Sequence, residues 1–230
     1  MDENPALNRD LPDRTNPSPQ KSLGTWLGLL FSLFGMLLIR QAIRLIFPAG
    51  GVVAVSVRES IFLASACALL LLVTRIEKLP LTSVGLGTWR GWTSVGWGLV
   101  MSVICSGVAL VFIRLTNLGK GPTAATLGEL PLWLVTVIVF RAGIVEELFY
   151  RGYAIERLQS LGLGRWVAAI IPLVVFSVAH WTGGATNILA AAALGGVLTL
   201  FYVWRRDLVA NIIAHTLVDF IGNVVPRLFS

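Results

Sequence analysis

The stretch IVEELFYRGY, Ile144 to Tyr153, decides how the chain is read. It closes an apolar run that begins at Pro131 and carries two adjacent carboxylates, Glu146 and Glu147, followed by Arg151. Ionisable side chains are costly in hydrocarbon, and where they occur they face a bundle interior or a cavity. The reading therefore turns on whether the surrounding chain lies in a membrane.

Composition says that it does. Of 230 residues, 56% are hydrophobic and only 13% are charged, and the mean hydropathy is +0.80. A soluble domain of this size needs more charge to cover its surface. Several separate runs approach the roughly 20 apolar residues that cross a bilayer. The expected fold is all-α: a polytopic membrane helical bundle of about seven (roughly six to eight) transmembrane helices with an intramembrane polar cavity. The expected spans cover 23–47, 52–74, 92–114, 131–158, 166–182, 185–204 and 207–224. Segment 79–91 reads as an interfacial loop.

Residues 1–22 differ in kind. They are polar, hold four of the ten prolines and lack the pattern of a secretory signal. They read as a disordered tail, so the multipass membrane domain is 23–230. The lipid bilayer is the first partner implied. A net charge of +6 suits basic cytoplasmic loops and gives no reason to expect a nucleic acid. With the N-terminus inside, eleven Lys and Arg fall on the inner side against six outside, Arg40, Arg44 and Arg58 among the six. That sets the N-terminus in the cytoplasm. Cys67 and Cys105 sit in apolar runs without metal-site spacing and read as small buried hydrophobes.

Helical spacing sorts the charges. Glu147 and Arg151 are four apart and share a face, acid before base. Glu146 lies about 100° further round an α-helix, which leaves it free of that pair. Glu147 is thus the structural carboxylate and Glu146 the reactive one. At 1.5 Å per residue, Glu146 lies about 18 Å from Leu158, and His180 about 22 Å from Arg165 on the return helix. The two meet in the membrane interior. His180 and His215 are the only histidines in the chain, and both fall in expected spans. Asn211, His215, Asp219 and Asn223 form a stripe at four-residue spacing. A polar seam joining helices by hydrogen bonds accounts for Asn211 and Asn223 more readily than for the His–Asp pair.

A carboxylate beside an imidazole can activate water and return the proton to a leaving amine, while a second imidazole and its neighbour line an oxyanion site. No cofactor is required by that scheme. The same groups could instead hold one divalent metal such as zinc, bound by Glu146, His180 and His215, or relay protons in a transporter.

EELFYR (146–151), FSVAH (176–180) and HTLVD (215–219) resemble, in order and spacing, the EExxxR, FxxxH and HxxxN/D motifs of the CAAX-processing and bacteriocin-processing intramembrane proteases, the CPBP or Abi family. The resemblance covers about 130–224, the protease-like core. It implies a type II CAAX endopeptidase-like fold that cleaves peptide or prenylated-protein substrates in the cell membrane. By the resemblance, Glu146 and His180 activate water, and His215 and Asp219 line the oxyanion side. Glu147, Arg151, Phe176 and Asn211 support the site. Some members of such families serve as immunity or scaffolding proteins without chemistry. Oligomeric state is not legible.

Overall fold

The computed structural model describes residues 23–87, 90–116 and 122–229, and every regular element among them is helical. The tail at 1–22 lies outside the described residues. Ten α-helices follow in order: α1 (Leu23–Ile46), α2 (Gly51–Leu71), α3 (Trp92–Leu115), α4 (Pro122–Glu129), α5 (Leu132–Arg141), α6 (Glu156–Ser160), α7 (Arg165–Val178), α8 (Ala185–Arg205), α9 (Leu208–Asn223) and α10 (Val225–Leu228). Between α5 and α6 the chain forms a π-helix, Ala142–Ile155, and a shorter π turn, Leu72–Ile76, extends α2.

Each expected span is occupied by helix. Four helices are long and apolar enough to cross a membrane: Leu23–Ile46, Gly51–Ile76, Trp92–Leu115 and Ala185–Arg205. Their outer faces expose large apolar side chains such as Leu45, Val103, Leu200 and Trp204, the surface that a lipid environment covers. α7 and α9 are shorter, with 14 and 16 residues, below the roughly 20 that an independent crossing requires.

Several expectations need correction. α1 runs unbroken through Arg40 and Arg44, and Arg58 lies within α2, so these three, counted as outer-side charges, stand on continuous helices. Arg151 and Arg157, counted as inner-side charges, are buried. α4 was not anticipated. α7 stops at Val178, so His180 sits in the turn beyond the helix rather than within a span. Cys105 is buried, but Cys67 is exposed on α2.

The rod formed by α5, the π-helix and α6 is the axis of the fold. Its π segment contacts α1, α2, α7 and α9, and all of its residues but Ile144 are buried. Phe149, Tyr153 and Ile155 of this segment pack with Phe62, Leu69 and Leu208 in the main apolar core. Charge fixes the C-terminal end of the axis. Arg157 donates through Nε and Nη2 to Glu77 Oε2 at 2.9 and 2.7 Å, Tyr153 donates to Glu77 Oε1, and Arg157 also reaches the Ser83 carbonyl. The rod ends at LGLG. Gly162 takes a positive φ of 100°, and the bonds Leu163 N→Leu158 O and Gly162 N→Gln159 O make the 6→1 and 5→2 pair of a Schellman cap.

Close packing on the axis demands glycine. A Cβ at Gly152 would stand 2.7 Å from the Val84 carbonyl oxygen and 2.9 Å from Leu208 Cδ2, whereas one at Gly96 of α3 meets nothing. Gly152→Ala is expected to destabilise by about 1–3 kcal/mol, as overpacking does. Gly96→Ala should be neutral or stabilising by up to about 1 kcal/mol from helix propensity. Thermal denaturation of both variants in detergent checks this.

Candidate active site

The buried carboxylate of Glu147 is the hub. It is 0% exposed. Arg151 Nη1 donates to its Oε1 at 2.9 Å, within the four-residue spacing expected from sequence. His215 Nδ1 lies 2.7 Å from the same oxygen, and Asn211 Nδ2 donates to Oε2 at 3.0 Å. A carboxylate only accepts, so His215 carries its proton on Nδ1. Asn211 also donates to the Leu198 carbonyl at 3.0 Å. Arg151 is anchored further by the Gly195 carbonyl at 3.0 Å and Thr199 Oγ1 at 3.3 Å, and its guanidinium lies 4.6 Å from the Phe176 ring centre. A side chain at Gly195 would run into Arg151 and Phe176, so the glycine keeps that carbonyl within reach.

Glu146 is also paired, which corrects the expectation that no cation on its own helix serves it. Arg141 Nη1 donates to Glu146 Oε1 at 2.8 Å, while Arg141 Nε donates to Glu59 Oε2 at 2.5 Å. Glu59 in turn accepts from Arg58 Nε at 2.7 Å. Residues five apart stand about 140° apart round an α-helix, but i→i+5 winding brings them together. The π-helix thus lets neighbouring glutamates face different partners, Glu147 forward to Arg151 and Glu146 back to Arg141. Only Oε1 of Glu146 is taken by that bond.

Glu146 opens into a cleft whose lining includes Arg40, Tyr150, Phe176 and His180. His180 Nδ1 lies 2.8 Å from the Phe176 carbonyl oxygen. That oxygen can only accept, so the proton sits on Nδ1 and the Nε2 lone pair is free. The His180 ring packs on Phe176 at 4.7 Å between centres, and Phe176 also meets Tyr150 and His215 edge-on. One aromatic ring therefore spaces both histidines and Arg151. Asp219, a turn along α9 from His215, places Oδ2 3.6 Å from its Nε2. Asn223 bonds back to the Asp219 backbone carbonyl and takes no part.

The structure thus gathers Glu147, Arg151, Asn211, His215 and Asp219 in one network, with Glu146 and His180 in the adjoining cleft and Phe176 between them. Sequence reasoning missed Arg40, Glu59, Arg141 and Tyr150. Glu59 and Arg141 carried a usable signal, since both are ionisable groups inside apolar runs.

Among the described residues, no three His, Cys, Asp or Glu side chains are grouped as a metal-holding cluster. What the arrangement offers is a carboxylate with one oxygen outside its arginine bond, an imidazole with a free lone pair and a second, carboxylate-flanked imidazole.

Residues 128–221 match the family model described as type II CAAX prenyl endopeptidase Rce1-like. Among curated proteins and among solved structures, nothing matches the chain. The matched segment contains all eight site residues read from sequence, and it excludes Arg40 and Glu59.

The two glutamates should fail differently. Glu147→Gln leaves Arg151 as a buried cation without its carboxylate, a loss of about 3–5 kcal/mol. Glu146→Gln should cost far less, because Arg141 keeps Glu59. Adding Arg151→Leu to Glu147→Gln should recover part of the loss. Unfolding of the two single mutants and the double mutant in detergent measures all three.

Proposed function

Taking as premise that residues 128–221 form a type II CAAX prenyl endopeptidase Rce1-like domain, we propose that this membrane protein is an intramembrane endopeptidase that hydrolyses a peptide bond of lipid-modified or membrane-associated substrates. Glu146 and His180, lining one cleft, carry the proposal. The protein sits in the cell membrane with its N-terminus in the cytoplasm.

The chemistry needs no group beyond those present. Glu146 takes a proton from water through its second oxygen, with Arg141 holding the first. His180 Nε2 accepts a hydrogen bond from the same water and orients it. The water oxygen attacks the scissile carbonyl carbon, and the oxyanion that forms accepts from the Nε2–H of His215 on α9, the ring carrying both protons between the carboxylates of Glu147 and Asp219. Glu147 fixes the ring of His215 through Nδ1, so the face toward the substrate is set before binding. The proton taken by Glu146 passes to the leaving nitrogen as the C–N bond breaks, which closes the proton balance.

Burying the reaction strengthens each of these interactions, because few water dipoles compete. The substrate class follows from the location. A cleft opening among α1, α7 and the π-helix, inside a shell of exposed Leu, Val and Trp side chains, is reached by a chain already held at the membrane.

The test uses purified protein with prenylated CAAX peptides and a library of membrane-derived peptides. Glu146→Gln and His180→Ala should each lower kcat by about 10²–10⁴, the range of general-base catalysis, with peptide binding retained in Glu146→Gln. Cleavage that survives Glu146→Gln unchanged would overturn this mechanism, and a cellular phenotype that both variants preserve would instead favour a scaffolding role.

A further inference from the structure

Buried arginines in this chain come with carboxylates: Arg141 has Glu59 and Glu146, Arg151 has Glu147, and Arg157 has Glu77. Arg40, at the cleft edge of α1, has no carboxylate within ion-pair distance among the described residues. Its Nη1 donates to the Ala179 carbonyl oxygen at 3.3 Å, longer than a good N–H···O bond. Its Nε is enclosed and has no acceptor.

The edge that remains is chemically specific. A guanidinium presents parallel N–H groups along the side shared by Nε and Nη2, the fork that matches a carboxylate. The backbone carbonyl engages Nη1 instead, which leaves Nε without an acceptor until the side chain turns toward one.

Resting on the endopeptidase reading above, we infer that Arg40 receives the free C-terminal carboxylate of the substrate and so determines which bond is cut. Arg40 and Glu146 line one cleft. A chain anchored by its carboxylate on Arg40 therefore presents to Glu146 a bond close to its C-terminus. Without that cation, a second carboxylate beside Glu146 is repelled. Arg40 lies outside the segment matched by the family model, so the specificity is supplied by α1 and not by the helices that carry the motifs.

The experiment compares a farnesyl-cysteine peptide ending in a free carboxylate with the same peptide as a C-terminal amide. Binding is measured by fluorescence anisotropy to the full chain carrying Glu146→Gln, and cleavage is measured with the unmodified chain. The acid should bind at least about tenfold more tightly than the amide, as for a hydrogen bond to a charged group. Arg40→Gln should abolish that preference and Arg40→Lys should keep part of it. Equal binding of acid and amide, binding of neither, or a preference that survives Arg40→Gln overturns the inference. The acid-to-amide comparison in the Glu146→Gln chain needs no change at Arg40, so a variant that folds poorly does not decide it. Cleavage of both peptides alike sinks the role of Arg40 and leaves the endopeptidase reading intact. An acid preference in binding without any cleavage does the reverse.

Discussion

A carboxylate with no exposure must be neutralised where it stands, and the fold is organised around that need at Glu147. The partners come from several elements: Arg151 from the same rod, and Asn211 and His215 from α9. Arg151 passes the constraint on to α8 through Gly195 and Thr199, and to α7 through Phe176. Removing one partner strands another charge, which is the costly case for buried pairs. The network therefore holds the helices in one arrangement, and the reactive groups stand at its edge.

The π-helix makes that arrangement possible. Two carboxylates on consecutive residues repel each other if they share a site, and one must turn away. Five-residue winding gives Glu146 its own cation at Arg141, which Glu59 on α2 holds from the other side. Each glutamate then has a separate counter-charge, and the pair can be buried together. Such segments recur at functional sites, and here Glu146, Glu147 and Arg151 all stand on one.

Much of this was legible in sequence, for a physical reason. Charged and imidazole groups are so costly in hydrocarbon that Glu146, Glu147, Arg151, His180, His215 and Asp219 stand out against an apolar background, and four-residue spacing assigns Glu147 to Arg151. The helices were legible from the length of their apolar runs. What stayed hidden was set by distance along the chain or by winding. Glu59 meets Arg141 across 82 positions, and no local pattern announces that. Arg141 and Glu146 are five apart, a spacing that carries no meaning until the backbone is known to be π. Arg40 and Arg58 were counted as outer-side charges because a charge in an apolar run resembles the end of a span. His180 was placed in a helix because nothing in VVFSVAHWTGG marks Val178 as the last helical residue.

The central claim is that Glu146 activates water and does not itself attack the substrate. A single turnover in ¹⁸O-labelled water, with enzyme in excess over a prenylated peptide, tests it most directly. Mass spectrometry of the products and of the peptide containing Glu146 locates the label. Direct attack by water places ¹⁸O in the new carboxylate of the product and none in Glu146. Label in Glu146 with an unlabelled product would mean an acyl-enzyme anhydride, and would contradict the role given to this carboxylate.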